Sequence, residues 1–268
     1  MVDFDELRKI EDRNQRYRQA LEVFTKTREE AGRRVALQLK ANESPFSFVA
    51  SELGYSPAGF NRRLQNGFGY RPHTVVHLAY EFLEDSCHQT FFGERGVTVL
   101  PRLESCLAHT MERLPDDALM EIYLLATRLF QQDEETSSLF CQHDDTGLVR
   151  ARVLEQCTDR CVQPVNLLGT DECKSAKLNL RKFGLEEFES YIPQTQVIMY
   201  FAFSLNTSLD YFMAPDYTKY TALCCSDDPK RTVIQSGMVI KILGKFLVLS
   251  PESRKALASK VFTRYWKH

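Results

Sequence analysis

Glycine and proline are scarce in this chain, and many of those present sit where a helix would begin or end. There are 12 Gly and 10 Pro among 268 residues. The stretches between them are rich in Leu, Ala, Arg, Glu and Gln, which are good helix formers. They almost nowhere alternate apolar with polar residues as a half-buried strand does. This pattern predicts an all-α protein, a helical bundle. A hydrophobic content of 43%, with 18 Phe and 11 Tyr, supplies enough apolar side chains for one or two cores and excludes a disordered chain. The length leads us to expect two domains.

Apolar residues at helical spacing run through residues 4–40: Phe4, Leu7 and Ile10, then Tyr17, Leu21 and Phe24. A basic run, Arg13 to Arg18, lies on this helix but is diluted by Glu11, Asp12 and Glu22. A helix is expected over Ala31–Lys40. Ser44 followed by Pro45 reads as an N-cap and first helical residue, starting a helix over Pro45–Leu53 with Phe48, Val49 and Leu53 inward. Gly54 ends it where a left-handed residue is needed. Ser56-Pro57 starts the next helix, rooted by Phe60 and Leu64, and Asn66-Gly67 stops it. Another helix follows Arg71-Pro72, with Val75, Leu78, Ala79 and Phe82 buried.

From Leu53 to Tyr80 there is no Asp or Glu, although a quarter of the chain is charged; the formal charges there are Arg62, Arg63 and Arg71. Cations on a short helix without neighbouring carboxylates suit a polyanion. The whole-chain net charge of −2 lacks the overall basic balance usual in nucleic-acid binders, so only a local face would serve.

The stretch Ala50-Ser-Glu-Leu-Gly54-Tyr-Ser-Pro-Ala-Gly-Phe60-Asn-Arg62-Arg-Leu64 resembles helix-turn-helix domains of the phage-repressor/Cro type in its Ala50/Gly54 spacing and the helix opening at Ser56. The later spacing, through Phe68, Gly69 and Pro72, resembles the second half of an AraC-type DNA-binding domain. Phe203 to Phe212 resembles the closing tail of a repressor-type domain. The resemblance implies that Ser56–Gln65 is a recognition helix lying in the major groove of DNA. Ser56, Ala58, Gly59, Asn61 and Arg62 would then face the DNA, with Arg62 suited to guanine and Asn61 to adenine. Arg63, Arg71, Tyr55 and His73 would hold phosphates. Arg63 departs from the family pattern, which often has an inward apolar residue there.

On this basis the expected organisation is an N-terminal helix (1–30), a helix-turn-helix domain (31–95), a helical extension and linker (96–147) and a second helical domain (148–268). The second half echoes the first. Tyr191-Ile-Pro193 answers Tyr70-Arg-Pro72, and Leu249-Ser-Pro answers Leu114-Pro. Its own candidate helix-turn-helix, Lys174–Phe183 with Gly184 as the turn, would present Glu186, Glu187 and Glu189. Three carboxylates repel phosphate, so this copy is expected to dimerise or bind a partner.

No cofactor or metal is expected. His73 and His77 lack nearby acids, and Cys157, Cys161 and Cys173 lack a fourth ligand at usable spacing. Cys224 and Cys225 are adjacent and awkward for one ion. All eight cysteines are expected to be free thiols in a reducing cytoplasm. No phosphate loop, dinucleotide fingerprint or nucleophile elbow occurs, so no enzymatic activity is expected. No signal peptide or membrane segment is visible. The function expected is a sequence-specific, cytoplasmic, dimeric DNA-binding transcriptional regulator, with double-stranded DNA, a second copy and an unidentified effector or protein as partners. The alternative is an all-helical interaction module whose helix-turn-helix is degenerate and does not touch DNA.

Overall fold

The computed structural model describes residues 4–66, 71–136, 145–163, 167, 195–225 and 233–266. The chain is mostly helical, as expected, with one small sheet that was not. It divides into two compact units, each drawing on both halves of the sequence: Met1–Gly96 with Asp144–Ala214, and Val97–His143 with Pro215–His268. Among the described residues no helix is long and apolar enough to cross a membrane.

The first unit is organised around α2 (Arg13–Ala41), which follows the short α1 (Phe4–Arg8). Asp12 caps α2 by accepting from the Gln15 N–H at 2.6 Å. The buried stripe Tyr17, Ala20, Phe24, Thr27, Ala31, Val35 and Leu39 recurs every three or four residues without interruption. One helix therefore runs through position 30, where a domain boundary had been expected. Its N-terminal half is covered by α10 (Thr195–Ser204): Tyr17 meets Tyr200 edge-on at 4.6 Å, and Gln196 donates to the Thr25 hydroxyl at 2.6 Å.

After α2 come α3 (Phe46–Glu52) and α4 (Pro57–Gln65). Two local expectations fail. Ser44 is not the cap of α3. Its backbone N–H closes the end of α2 on the Leu39 carbonyl at 3.0 Å, behind a left-handed Glu43. The helix begins one residue later than expected, with Pro45 at the N-cap. Phe46 takes the inward place against Phe60, at 4.8 Å, and Phe48, expected inside, is 55% exposed.

Gly54, between α3 and α4, has φ +74°. Nothing surrounds the place where a Cβ would go, so the demand for glycine here is conformational alone. Gly54→Val should cost about 1–2 kcal/mol, the penalty of a left-handed residue with a Cβ. Gly54→Asn should be nearly neutral. Thermal melting of the two variants checks this, and equal melting points would place the turn elsewhere.

The first half of this unit ends with α5 (Pro72–His77), a π-helical turn (Leu78–Phe82) and α6 (Cys87–Phe92). Val75, Leu78 and Ala79 are buried as expected, while Phe82 is half-buried. The second half contributes α9 (Asp145–Asp159), α10 and α11 (Leu209–Met213). Asp210 on α11 is fully buried. Its carboxylate accepts from the Cys87 N–H at 2.7 Å, the His88 N–H at 3.0 Å and the Tyr80 hydroxyl at 3.0 Å. Burial pushes the Asp210 carboxyl up, against these three donors. Burial also pushes the His88 imidazole down to about 4. The ring is therefore neutral near pH 7 and can accept from the Leu209 N–H, at 3.4 Å from Nδ1.

The second unit contains β1 (Val97–Val99), α7 (Arg102–Met111), α8 (Asp116–Thr136), β2 (Ala222–Cys224), α12 (Gly237–Val248) and α13 (Pro251–Tyr265). The two strands pair in parallel, Val97 with Ala222 and Val99 with Cys224. Helix α8 carries the periodic segment expected after Leu114. Ser250 is the N-cap of α13, and Asp133 of α8 holds that cap in place, accepting from the Ser250 N–H at 2.7 Å and from the hydroxyls of Ser250 and Ser253.

Candidate nucleic-acid interface

Local chemistry fixes where α4 begins and how it is rooted. Ser56 is its N-cap, accepting from the Gly59 N–H at 3.1 Å, and Pro57 takes the first helical position. Phe60 and Leu64 are buried. At 100° per residue, Ala58, Asn61, Arg62 and Gln65 form a single stripe opposite those anchors. All four are exposed. No acid occurs on α4 or in the turn before it.

Each residue singled out from sequence now has a place. Ala58, Asn61 and Arg62 lie on the outward stripe. Ser56 is exposed at its start, with its oxygen engaged as the cap. Gly59 is half-buried with its N–H committed to Ser56, so its share in the face is its small size. Arg63 is exposed but about 100° round the helix from Arg62, and its guanidinium lies 5.0 Å from the centre of the Tyr55 ring. This stacking draws Arg63 back towards the turn, so the face can separate two tasks. Arg62 points along the stripe, and the Arg63–Tyr55 pair stands at its flank.

Arg71 and His73 sit at the start of α5, both exposed. They are separated from α4 by residues 67–70, so Gly67, Phe68 and Gly69 lie outside the described residues. The second candidate helix-turn-helix, Lys174 to Ile192, also lies outside them, as do Cys141 and Cys173. His73 Nε2 is 3.2 Å from the Thr74 hydroxyl, and the His77 ring tilts against Phe82 at 5.5 Å. Cys157 is buried, its thiol pushed up to about 11 by that burial, while Cys161 is exposed. Among the described residues no three His, Cys, Asp or Glu side chains come together as a metal site requires.

Sequence reasoning missed Gln65. Its spacing of three and four from Arg62 and Asn61 was the available signal, and it places a second amide on the stripe. An amide can bridge the N6 and N7 positions of adenine.

Comparison with known proteins finds no matching family model, no matching curated protein and no matching solved structure.

Proposed function

We propose that this protein is a sequence-specific DNA-binding regulator of the cytoplasm, with α4 as its recognition helix. The observation that carries the reading is the outward stripe Ala58, Asn61, Arg62 and Gln65, exposed on an acid-free helix whose opposite side is anchored. Small, amide and guanidinium side chains on one helical face match the donor and acceptor pattern of major-groove base edges. Arg63 on Tyr55, with Arg71 and His73 beyond, suits phosphates, which fix position without reading sequence.

A mobility shift on genomic fragments at two salt concentrations tests this. Binding should weaken steeply with salt. Arg62→Ala should weaken binding to preferred fragments about 5- to 150-fold, since a guanidinium–guanine pair is worth about 1–3 kcal/mol. Absent or salt-insensitive binding would reject the reading.

A second reading has one observation in its favour. Phe48, 55% exposed, meets Phe82 edge-on at 6.2 Å, beside His77. An exposed aromatic group of this kind suits protein contact, as an interaction module that does not bind DNA would require. Under that reading, Phe48→Ser abolishes partner binding while Arg62→Ala changes nothing.

A further inference from the structure

The two halves of the chain repeat one another in details that their sequences barely disclose. On α2, Arg34 donates through Nη2 to the Phe91 carbonyl and through Nε to the Thr90 carbonyl at 3.4 Å, at the C-terminal end of α6. On α9, Arg152 donates through Nη1 to the Tyr211 carbonyl and to the Ala214 carbonyl at 2.6 Å, at the C-terminal end of α11. Each arginine precedes the middle member of a buried trio at four-residue spacing. The trios are Ala31, Val35, Leu39 and Val149, Val153, Cys157.

Ahead of each short helix stands a left-handed residue that is not glycine, Glu84 at φ 52° and Asn206 at φ 49°. Two residues later comes a serine N-cap. Ser86 accepts from the Gln89 N–H at 2.9 Å, and Ser208 from the Tyr211 N–H at 3.3 Å. A left-handed residue with a Cβ is costly, and its recurrence at one place in the same motif argues against chance. The second unit repeats as well. Strand, helix, helix occurs twice; α7 and α8 begin at Arg102 and Asp116, α12 and α13 at Gly237 and Pro251, with equal spacing.

The repeats also meet reciprocally. His88 and Asp210 each stand two residues beyond their serine cap. His88 accepts from the Leu209 N–H at the start of α11, and Asp210 accepts from the Cys87 and His88 N–H groups at the start of α6. Equivalent positions serving one another is the signature of a two-fold, isologous contact between copies.

We infer that the chain is two copies of one unit, roughly residues 1–136 and 145–268, paired as a dimer within a single polypeptide through α6 and α11. The second copy of the protein expected from sequence is thereby replaced by the chain's own second half, and the working species is a monomer.

The test inserts a protease recognition sequence between residues 137 and 144 of the full chain and cleaves the folded protein. Light scattering should give the mass of one chain before cleavage, and afterwards the two fragments should still elute together at that mass. Asp210→Asn, which sets an amide donor against backbone N–H donors, should raise the dissociation constant of the cleaved fragments at least 10-fold. An uncleaved mass of two chains would overturn the inference. So would folded fragments that part on cleavage, or an Asp210→Asn variant that leaves their affinity unchanged. None of these readouts involves DNA, so the inference and the DNA reading fail separately.

Discussion

Asp210→Ala should remove most of the stability of the first unit. The carboxylate is fully buried and receives three donors: the Tyr80 hydroxyl and the backbone N–H groups of Cys87 and His88. Alanine removes the acceptor that all three share, where water is largely excluded. Each orphaned donor costs about 1–3 kcal/mol, and their sum is comparable with the roughly 5–15 kcal/mol that holds a domain together. Asp210→Asn keeps one acceptor oxygen and should lie between the two. Urea unfolding followed by circular dichroism measures the difference. A loss under about 1 kcal/mol for Asp210→Ala would mean that α6 and α11 are not joined as described.

The second large effect is at Gly32, where the usual expectation reverses. Replacing glycine by alanine inside a helix normally gains about 1 kcal/mol. Here a Cβ would lie 2.0 Å from the Leu64 carbonyl oxygen and 2.9 Å from its carbon. Those are backbone atoms of α4 and cannot swing aside as a side-chain tip could. Gly32→Ala should therefore destabilise by about 1–3 kcal/mol, the range for overpacking, and should push α4 away from α2. Gly237→Ala is the control: nothing lies within 4 Å of that Cβ, so its melting point should hold or rise. If Gly32→Ala is also neutral, α2 and α4 do not cross as closely as described. If it is destabilised as expected, its DNA affinity should fall as well, because α4 carries the proposed reading face.

What was legible in the sequence is what short-range hydrogen bonding decides. Ser56-Pro57 announced α4, and Gly54 announced the left-handed turn before it, because both effects are settled within a few residues. Ser44-Pro45 carried the same signal and misled. Ser44 instead closes the end of α2 through its N–H on the Leu39 carbonyl, and Pro45 stands at the N-cap of α3. The parallel pair β1 and β2 could not have been read at all. Three residues are too few for a periodic signal, and Val97 finds its partner only at Ala222. The duplication we infer is faint in the sequence because what the halves share is sparse: an arginine reaching a helix end, a left-handed residue, a serine cap. The stripe of α4 was mostly readable from the fixed period of a helix. The withdrawal of Arg63 onto Tyr55 was not, because it depends on how the turn folds back.

The most direct measurement of the central claim compares Arg62→Ala with Arg63→Ala on a duplex selected from a random pool, with affinity followed over a range of salt concentrations. If α4 reads DNA, Arg62→Ala should cost about 1–3 kcal/mol on that duplex and relax the preference at one base pair. Arg63→Ala should weaken all sequences alike and lower the salt slope by about one. A protein that selects no duplex, or that binds equally well without Arg62, would contradict the account.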